Sequence, residues 1–424
     1  MKKVLIVSYY WPPSGGAGVQ RWLKLSNYLA ELGVQLFIVT VSEDKASYMQ
    51  WDESLLNDVN PKVEVHKTDS FEPINYYARL VGKKNVPTAG FSNVNNKSWK
   101  QQLVNRIRSN FFIPDPRVGW KRFATKKAIE LIKEHHIETV ITTSPPHSTQ
   151  LVGKSLKKAF PSLKWIVDFR DPWTDIYYYK LLGHSYISKT IDAKYEREIV
   201  EGADQIITAG QKFKDSFQSK TNIDISAKTV VIPNGYDPKD FEVKVSRNSR
   251  FTISYTGTMS DYYQPEVFFR ALNKLIKNNP NVPIDFLFIG TTSANIKEIA
   301  TNLLGSNVQF LPPVSHKAIV KYMQQSHLLL LVTQGTEGTI PGKTFEYLAS
   351  ERTIVCIGKG DAADIIAECS AGESFERSEE KAILAYLEQC LNYHQNNSWP
   401  IPNYDQIKKH SRPFQAEQVM KLIQ

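Results

Sequence analysis

The sequence predicts an α/β protein built from two doubly wound, Rossmann-like domains. Three observations carry that prediction. At 424 residues the chain is longer than one hydrophobic core usually organises. Short, continuous apolar runs, the pattern of strands buried in a parallel sheet, alternate with helical periodicities through both halves. A dense turn, Pro233-Asn234-Gly235-Tyr236-Asp237-Pro238, separates the halves. A hydrophobic content of 42% with 22% charged residues is that of a soluble globular protein.

The first half opens with the apolar run Lys3 to Tyr9, read as a buried strand. A loop with Gly15, Gly16 and Gly18 follows. Val19, Trp22, Leu23, Leu25, Leu29 and Leu32 then recur at helical spacing, and Gly33 closes the helix. Val34 to Val41 is the second strand. This strand, glycine loop, helix and strand begin a doubly wound sheet, but the loop is not G-x-G-x-x-G, so a dinucleotide fingerprint is not supported. Val63 to His66 reads as a short strand. A basic stretch with Lys83, Lys84, Lys97 and Lys100 leads into a basic amphipathic helix near 97–112, where Trp99, Leu103, Ile107 and Phe111 fall four apart. Such a helix either docks on an anionic membrane surface or packs on its own domain with solvated charges. Arg122 to His136 is helical, and strands follow at Thr139 to Ser144 and Lys164 to Phe169. The second of these runs into Asp168-Phe169-Arg170-Asp171-Pro172-Trp173. Charged residues at the carboxyl end of a parallel strand lie where open α/β sheets place ligands, so Asp168, Arg170 and Asp171 are site candidates; an ion pair of Asp168 with Arg170 is the structural alternative. Asp175 and Glu196 have no assigned role. A helix over Ile187 to Val200 and strands at Gln205 to Ala209 and Thr229 to Ile232 complete the half.

The second half repeats the alternation from Phe251. Strands are expected at Phe251 to Gly257, Ile284 to Gly290, Val308 to Pro313, His327 to Val332 and Thr353 to Gly358. Helices are expected at Pro265 to Lys277, from Pro341 or shortly after, from Asp361, and near Glu379 to Tyr393, with a tail helix near Phe414 to Ile423. The stretch Gln334 to Ser350 is the most informative. A buried strand, a loop with Gly335, Gly338 and Gly342, and a helix N-terminus point free amides and the positive end of the helix dipole at one spot. Lys343 in the first helical turn has the wrong sign for the dipole and makes sense beside a phosphate. Glu346, three residues on, shares that face and suits a pair of sugar hydroxyls.

The net charge of +9 fits nucleic acid, an anionic membrane surface or a phosphorylated substrate. No basic motif interleaved with aromatics supports nucleic acid. Cys356, Cys369 and Cys390 show no C-x-x-C spacing and read as cytosolic thiols. The first residues read as a strand and not as a signal peptide, and no apolar stretch approaches the ~18 residues that span a bilayer. A cytoplasmic protein is expected.

Four segments, SYYWPPSGGAGVQRW, VIPNGYD, SYTGTMSDYY and the strand–loop–PGKTFEYLAS stretch, resemble the GT-B glycosyltransferases, and most closely the retaining enzymes of glycosyltransferase family 4. The resemblance covers nearly the whole chain. It implies two Rossmann-like domains facing across a cleft, with the C-terminal helix crossing back to the N-domain. The domains would be 1–240 with the tail 400–424, on the acceptor side, and 245–398, holding a nucleotide-sugar donor. By position, Glu346 would bind the donor ribose, and Lys343 with amides near Gly342 and Thr344 would hold the diphosphate. Gly257 and Thr258 would sit close to the phosphates, Pro312 to Val314 would flank the base, and Gly15, Gly16 and Gly18 would approach the donor phosphate or the acceptor.

The chain departs from the family pattern in three places. The position eight before Glu346 is Gly338, with Glu337 one place off as a possible substitute. TGTMSDYYQ lacks the Arg and Lys that many members carry after the first glycine of the C-domain. The N-domain strand that often ends in a His ends here in DFRDPW, so that Asp168, Arg170 or Asp171 would replace it at the transferred sugar. The resemblance implies a retaining, metal-independent transfer to a glycan or lipid-linked acceptor in surface polysaccharide synthesis, with possible peripheral attachment to the inner face of the plasma membrane through 97–112. A catalytically degenerate scaffold of a polysaccharide-assembly complex is the alternative.

Overall fold

The computed structural model describes residues 1–48, 50–72, 106, 108–176, 179–333 and 340–424. These divide by packing into one unit of Met1–Pro233 with Gln415–Gln424, and a second of Asn234–Phe414.

Among the described residues the first unit holds seven strands: β1 (Lys3–Val7), β2 (Gln35–Val41), β3 (Val63–Thr68), β4 (Thr139–Ser144), β5 (Lys164–Phe169), β6 (Gln205–Thr208) and β7 (Thr229–Val231). They form one parallel sheet in the order β3-β2-β1-β4-β5-β6-β7. The chain winds outward from β1 to β3, then returns to the other side of β1 and winds outward again. The strands are apolar almost throughout because both faces are covered. Leu5, Val7, Phe37, Val39, Val140 and Val167 enter one core cluster. Their neighbours Val4, Ile6, Leu36, Ile38, Ile141 and Ile166 enter the other, as a period of two requires. The helices described in full are α1 (Ala17–Glu31), α2 (Lys121–His135), α3 (Ser148–Ala159), α4 (Tyr186–Gly202) and α5 (Gln211–Ser219).

The second unit repeats the plan with β8 (Phe251–Thr256), β9 (Ile284–Ile289), β10 (Val308–Leu311), β11 (Leu328–Val332), β12 (Thr353–Ile357) and β13 (Gly372–Phe375), parallel in the order β10-β9-β8-β11-β12-β13. Its helices are α6 (Glu266–Asn278), α7 (Ala294–Leu304), α8 (His316–Gln325), α9 (Lys343–Ala349), α10 (Asp361–Glu368), α11 (Glu380–Asn396) and α12 (Tyr404–Lys408). The last helix, α13 (Arg412–Ile423), places Ala416, Val419 and Ile423 in the core of the first unit. Gln415 Nε2 also donates to Pro233 O at 3.1 Å.

Both units are thus doubly wound, as the alternation predicted. Each has a switch point where strand order reverses, between β1 and β4 and between β8 and β11, and ligands collect at the carboxyl ends beside such points. The expectation drew the first domain to residue 240 and began the tail at 400. Packing instead assigns 234–240 and 400–414 to the second unit. There Tyr236 N donates to His410 O (3.1 Å) and Asn403 N to Cys369 O (2.8 Å). Helices α3, α5, α7 and α8 and strand β13 went unassigned in the sequence. In α3 a mid-helix glycine obscured the pattern: Gly153 is where Trp165 packs against the helix backbone, leaving no room for a Cβ. The cysteines are buried and unpaired, and burial pushes the Cys356 thiol up to about 12. Among the described residues, no helix is long and apolar enough to cross a membrane.

Candidate active site

At the switch point of the second unit, β8 ends at Thr256 and the chain turns at Gly257, whose φ of +95° suits glycine and little else. A Cβ there would lie 3.3 Å from Lys343 Nζ. Lys343 is the first residue of α9, so the helix and the glycine turn converge. Its ammonium donates to Thr256 O at 2.6 Å and stands 3.8 Å from the centre of the Tyr255 ring. The Tyr347 hydroxyl fixes the same turn, accepting from Thr256 N at 3.0 Å. Among the described residues Lys343 has no carboxylate contact. The residue keeps some contact with solvent, but burial of its ammonium pulls the pKa down to about 7, against a weak opposing pull from Glu346. A cation set at the positive end of a helix and largely withdrawn from water is costly for the protein alone. An anion arriving at the same amides would repay that cost.

Glu346 lies one turn along α9, partly exposed. Its Oε1 meets His316 Nε2 at 3.0 Å, and His316 Nδ1 lies 3.9 Å from Asp240 Oδ2. His316 opens α8, directly after Pro312, Val314 and Ser315, so the segment expected to flank a base stands beside the residue expected to bind a ribose. The structure therefore brings Gly257, Lys343, Glu346 and the 312–314 segment into one neighbourhood. Thr258 contributes its carbonyl to the Tyr255 hydroxyl (2.7 Å). Thr344 is fully buried, and its hydroxyl has no partner among the described residues. Gly342 is helical (φ −55°) and open around its Cα, so the chain itself does not demand glycine there. Glu337, Gly335 and Gly338 lie outside the described residues.

The first unit carries a comparable group at the ends of β1, β4 and β5. Gly16 (φ +89°) caps α1, and Gly15 N donates to Gln50 O at 2.9 Å. A Cβ on Gly18 would sit 2.6 Å from Arg170 Nη1, so the guanidinium rests against the first turn of α1. Two features of positive sign thus meet, with Asp171 Oδ2 only loosely paired to Arg170 at 3.4 Å. His147, just past β4, stacks on Trp173 with centroids 4.7 Å apart. Both its ring nitrogens are buried without partners among the described residues. Burial, with Arg170's charge behind it, pushes this imidazole down to about 3, so it is neutral.

Asp168 does not belong to this group, which corrects the expectation that it faces substrate. It is fully buried and bonded to Arg21 (Nη2 at 2.9 Å), Trp22 Nε1 (2.7 Å) and Thr143 Oγ1 (2.8 Å). Arg21 also donates to Ile232 O and Pro233 O, at 2.8 Å each. The alternative pairing of Asp168 with Arg170 is not made either. Asp175 and Glu196 close around Lys220, at 2.8 and 3.1 Å, as part of the fold. The proposed membrane helix near 97–112 falls largely outside the described residues; of its apolar face only Phe111 is seen, and it is exposed.

Sequence reasoning missed His316 and His147. No helix was expected at His316, and its partner Glu346 is 30 positions away. His147 follows two prolines, Pro145 and Pro146, which signal only a turn.

Comparison with known proteins gives the family and the fold. Residues 15–240 match the model of the family described as Glycosyltransferase Family 4, and residues 250–393 that described as Glycosyl transferases group 1. No curated protein matches the chain by sequence. Among solved structures, a glycosyltransferase from Rickettsia africae ESF-5 superimposes with a TM-score of 0.63 at 15% identity, covering 100% of this chain and 97% of that one. Anabaena Alr3699/HepE in complex with UDP gives 0.62 at 11% identity, with 99% of each chain covered. WaaG, a glycosyltransferase involved in lipopolysaccharide biosynthesis, gives 0.55 at 13%, with 99% of each covered.

Proposed function

Because this chain belongs to glycosyltransferase family 4, and is a glycosyltransferase of GT-B fold, we propose that it moves a sugar from a nucleoside-diphosphate sugar to a glycan or lipid-linked acceptor, with retention of configuration. The observation that carries the donor side is the Lys343 niche. An ammonium without a carboxylate contact among the described residues lies between a helix N-terminus and the Gly257 turn. Glu346 and the 312–314 segment stand on its flank. A diphosphate fits the niche, a ribose fits Glu346, and a base fits the 312–314 segment.

The chemistry asked of such a site is modest. The bond between the anomeric carbon and the diphosphate oxygen breaks, the acceptor oxygen takes that place, and the departing phosphate oxygen is basic enough to receive the acceptor's proton. The charge that grows on the leaving phosphate is what the protein must stabilise. The Lys343 ammonium and the first amides of α9 are fixed before it forms. His316 orients Glu346, a positioning role. The first unit, with Arg170, Asp171, His147 and the Gly15–Gly18 loop, is assigned to the acceptor and the transferred sugar. No D-x-D sequence follows a strand, so protein cations are given the task that a divalent metal performs elsewhere. Support for a surface-polysaccharide acceptor and the inner face of the plasma membrane comes from the net charge of +9 and the likeness to WaaG.

A screen of UDP-, GDP- and ADP-sugars for nucleotide release, with and without EDTA, tests the reading. One donor should be consumed, and EDTA should leave its rate unchanged. Failure of every donor to bind would overturn it. Flotation with anionic liposomes tests the membrane assignment, and no lipid-dependent shift would remove it.

A further inference from the structure

We propose that Arg377 is the second cation of the donor diphosphate site, brought in from the edge of the sheet to a loop that has no basic residue of its own. The proposal rests on the donor reading above and names a residue that neither the motif pattern nor the spacing pointed to.

Arg377 lies two positions beyond β13, the edge strand of the second unit. Its side chain nevertheless ends at the centre of the sheet. Nη2 donates to Thr333 O at 2.7 Å, directly after β11, and to Tyr263 O at 3.0 Å, in the segment that follows β8. The guanidinium therefore passes the end of β12 and ties the two strands that flank the switch point. The register of β8 with β11 pairs Leu329 with Ser254. Thr333 directly follows β11, the sheet neighbour of β8, and Tyr263 closes the segment that begins at the Gly257 turn against which Lys343 is packed.

The chemistry around Arg377 is unfinished. Both acceptors it holds are neutral carbonyls bound through one nitrogen. Its Nε is buried with no partner, and it forms no ion pair, among the described residues. A partly buried guanidinium with an edge that no described residue uses is suited to a doubly charged oxyanion, because its planar fork can engage two oxygens at once. The need for it follows from the charges. A diphosphate brings more than one negative charge, and a further one develops as the sugar departs. Lys343 supplies at most one positive charge, and its ammonium is poised near neutral pH. The segment Gly257 to Gln264 contains no Lys or Arg. An arginine keeps its charge at every working pH, and Arg377 reaches this segment's backbone where no side chain of the segment can serve.

A guanidinium that merely stapled two loops would matter for stability and leave phosphate recognition alone. Calorimetry on the full chain separates the two roles, using the best-bound of UDP, GDP and ADP together with the matching nucleoside. Arg377→Gln keeps donors for the carbonyls and removes the charge, whereas Arg377→Lys keeps the charge. The proposal predicts that Arg377→Gln weakens the diphosphate about tenfold or more, leaves the nucleoside within about twofold, and that Arg377→Lys restores part of the loss. An unchanged diphosphate affinity, or equal losses for diphosphate and nucleoside, would overturn it. If Arg377→Gln does not fold, Arg377→Lys decides by the same ratio: a loss confined to the diphosphate supports the proposal and a uniform loss rejects it. Wild-type protein that binds no nucleotide would overturn the donor reading itself, and the proposal with it.

Discussion

Each unit sets a cation against a glycine at the carboxyl edge of its sheet, but the surroundings of the two charges differ. In the second unit Lys343 Nζ lies 3.3 Å from where Gly257 would carry a Cβ; in the first, Arg170 Nη1 lies 2.6 Å from the same point on Gly18. Arg170 has an acidic neighbour, Asp171 at 3.4 Å. Lys343 has a carbonyl and an aromatic ring. Burial pulls the Lys343 ammonium down to about 7. The fold thus supplies the same platform twice, once with an acidic neighbour beside the cation and once with a carbonyl and a ring. The buried lysine carries a cost in the free protein that a bound anion would remove, which is why the proposed function gives this unit the donor.

The largest effect is expected from Lys343→Met. Transfer should fall about 10²–10³-fold, the scale of removing one preorganised charge from a developing oxyanion. Stability should move the other way. The folded Lys343 titrates near 7 against an ordinary 10.5, so between those values the unfolded chain holds more protons and stability rises with pH. Below 7 the full cost of burying the charge is borne. Lys343→Met should therefore melt higher than wild type at pH 6, by about 2–4 °C for each kcal/mol relieved, and the gap should close toward pH 10. Equal melting temperatures at pH 6, or unchanged turnover, would break the comparison at its centre.

Asp168→Asn comes next, and its readout is stability. Removing the charge leaves Arg21 buried without its counter-ion, a loss of about 3–5 kcal/mol in chemical denaturation. Variant protein that is folded under assay conditions should keep its KM. A large KM change with normal stability would return Asp168 to the substrate.

Glu346→Gln should raise donor KM about tenfold by weakening charge-assisted hydrogen bonds to a ribose, while His316→Ala, acting through a half-exposed contact, should raise it about 2–5-fold. A larger effect from His316 than from Glu346 would mean that the histidine, and not the carboxylate, meets the donor. Gly18→Ala should be the mildest. It displaces only the flexible tip of Arg170 and should change acceptor KM by a few-fold, leaving nucleotide binding untouched.

Much of this arrangement could be read in one dimension. The strands of both sheets are continuous apolar runs because each is covered on two faces, and period-two burial of Leu5, Val7 and their neighbours follows from that. Lys343 and Glu346 were legible because one helical turn contains both. What escaped the sequence depends on distance along the chain. Asp168 looked like a ligand residue because its strand end is charged, yet its partner Arg21 is 147 positions away. Arg377 touches backbone 44 and 114 positions away, and nothing in ESFERSEE signals that reach. Charge at a strand end can be seen in sequence; whether another element has already neutralised it cannot.

On the proposed function, a buried lysine with its pKa pulled down to about 7 holds the donor diphosphate. Calorimetric affinity for the preferred nucleoside diphosphate, measured from pH 6 to 9 in wild type and Lys343→Met, tests it most directly. If only the ammonium form binds, wild-type affinity falls as pH rises through about 7, approaching tenfold per unit above it, and the variant binds weakly with no such slope. A wild-type affinity that is flat from pH 6 to 9, or a variant that binds as tightly as wild type, would contradict it.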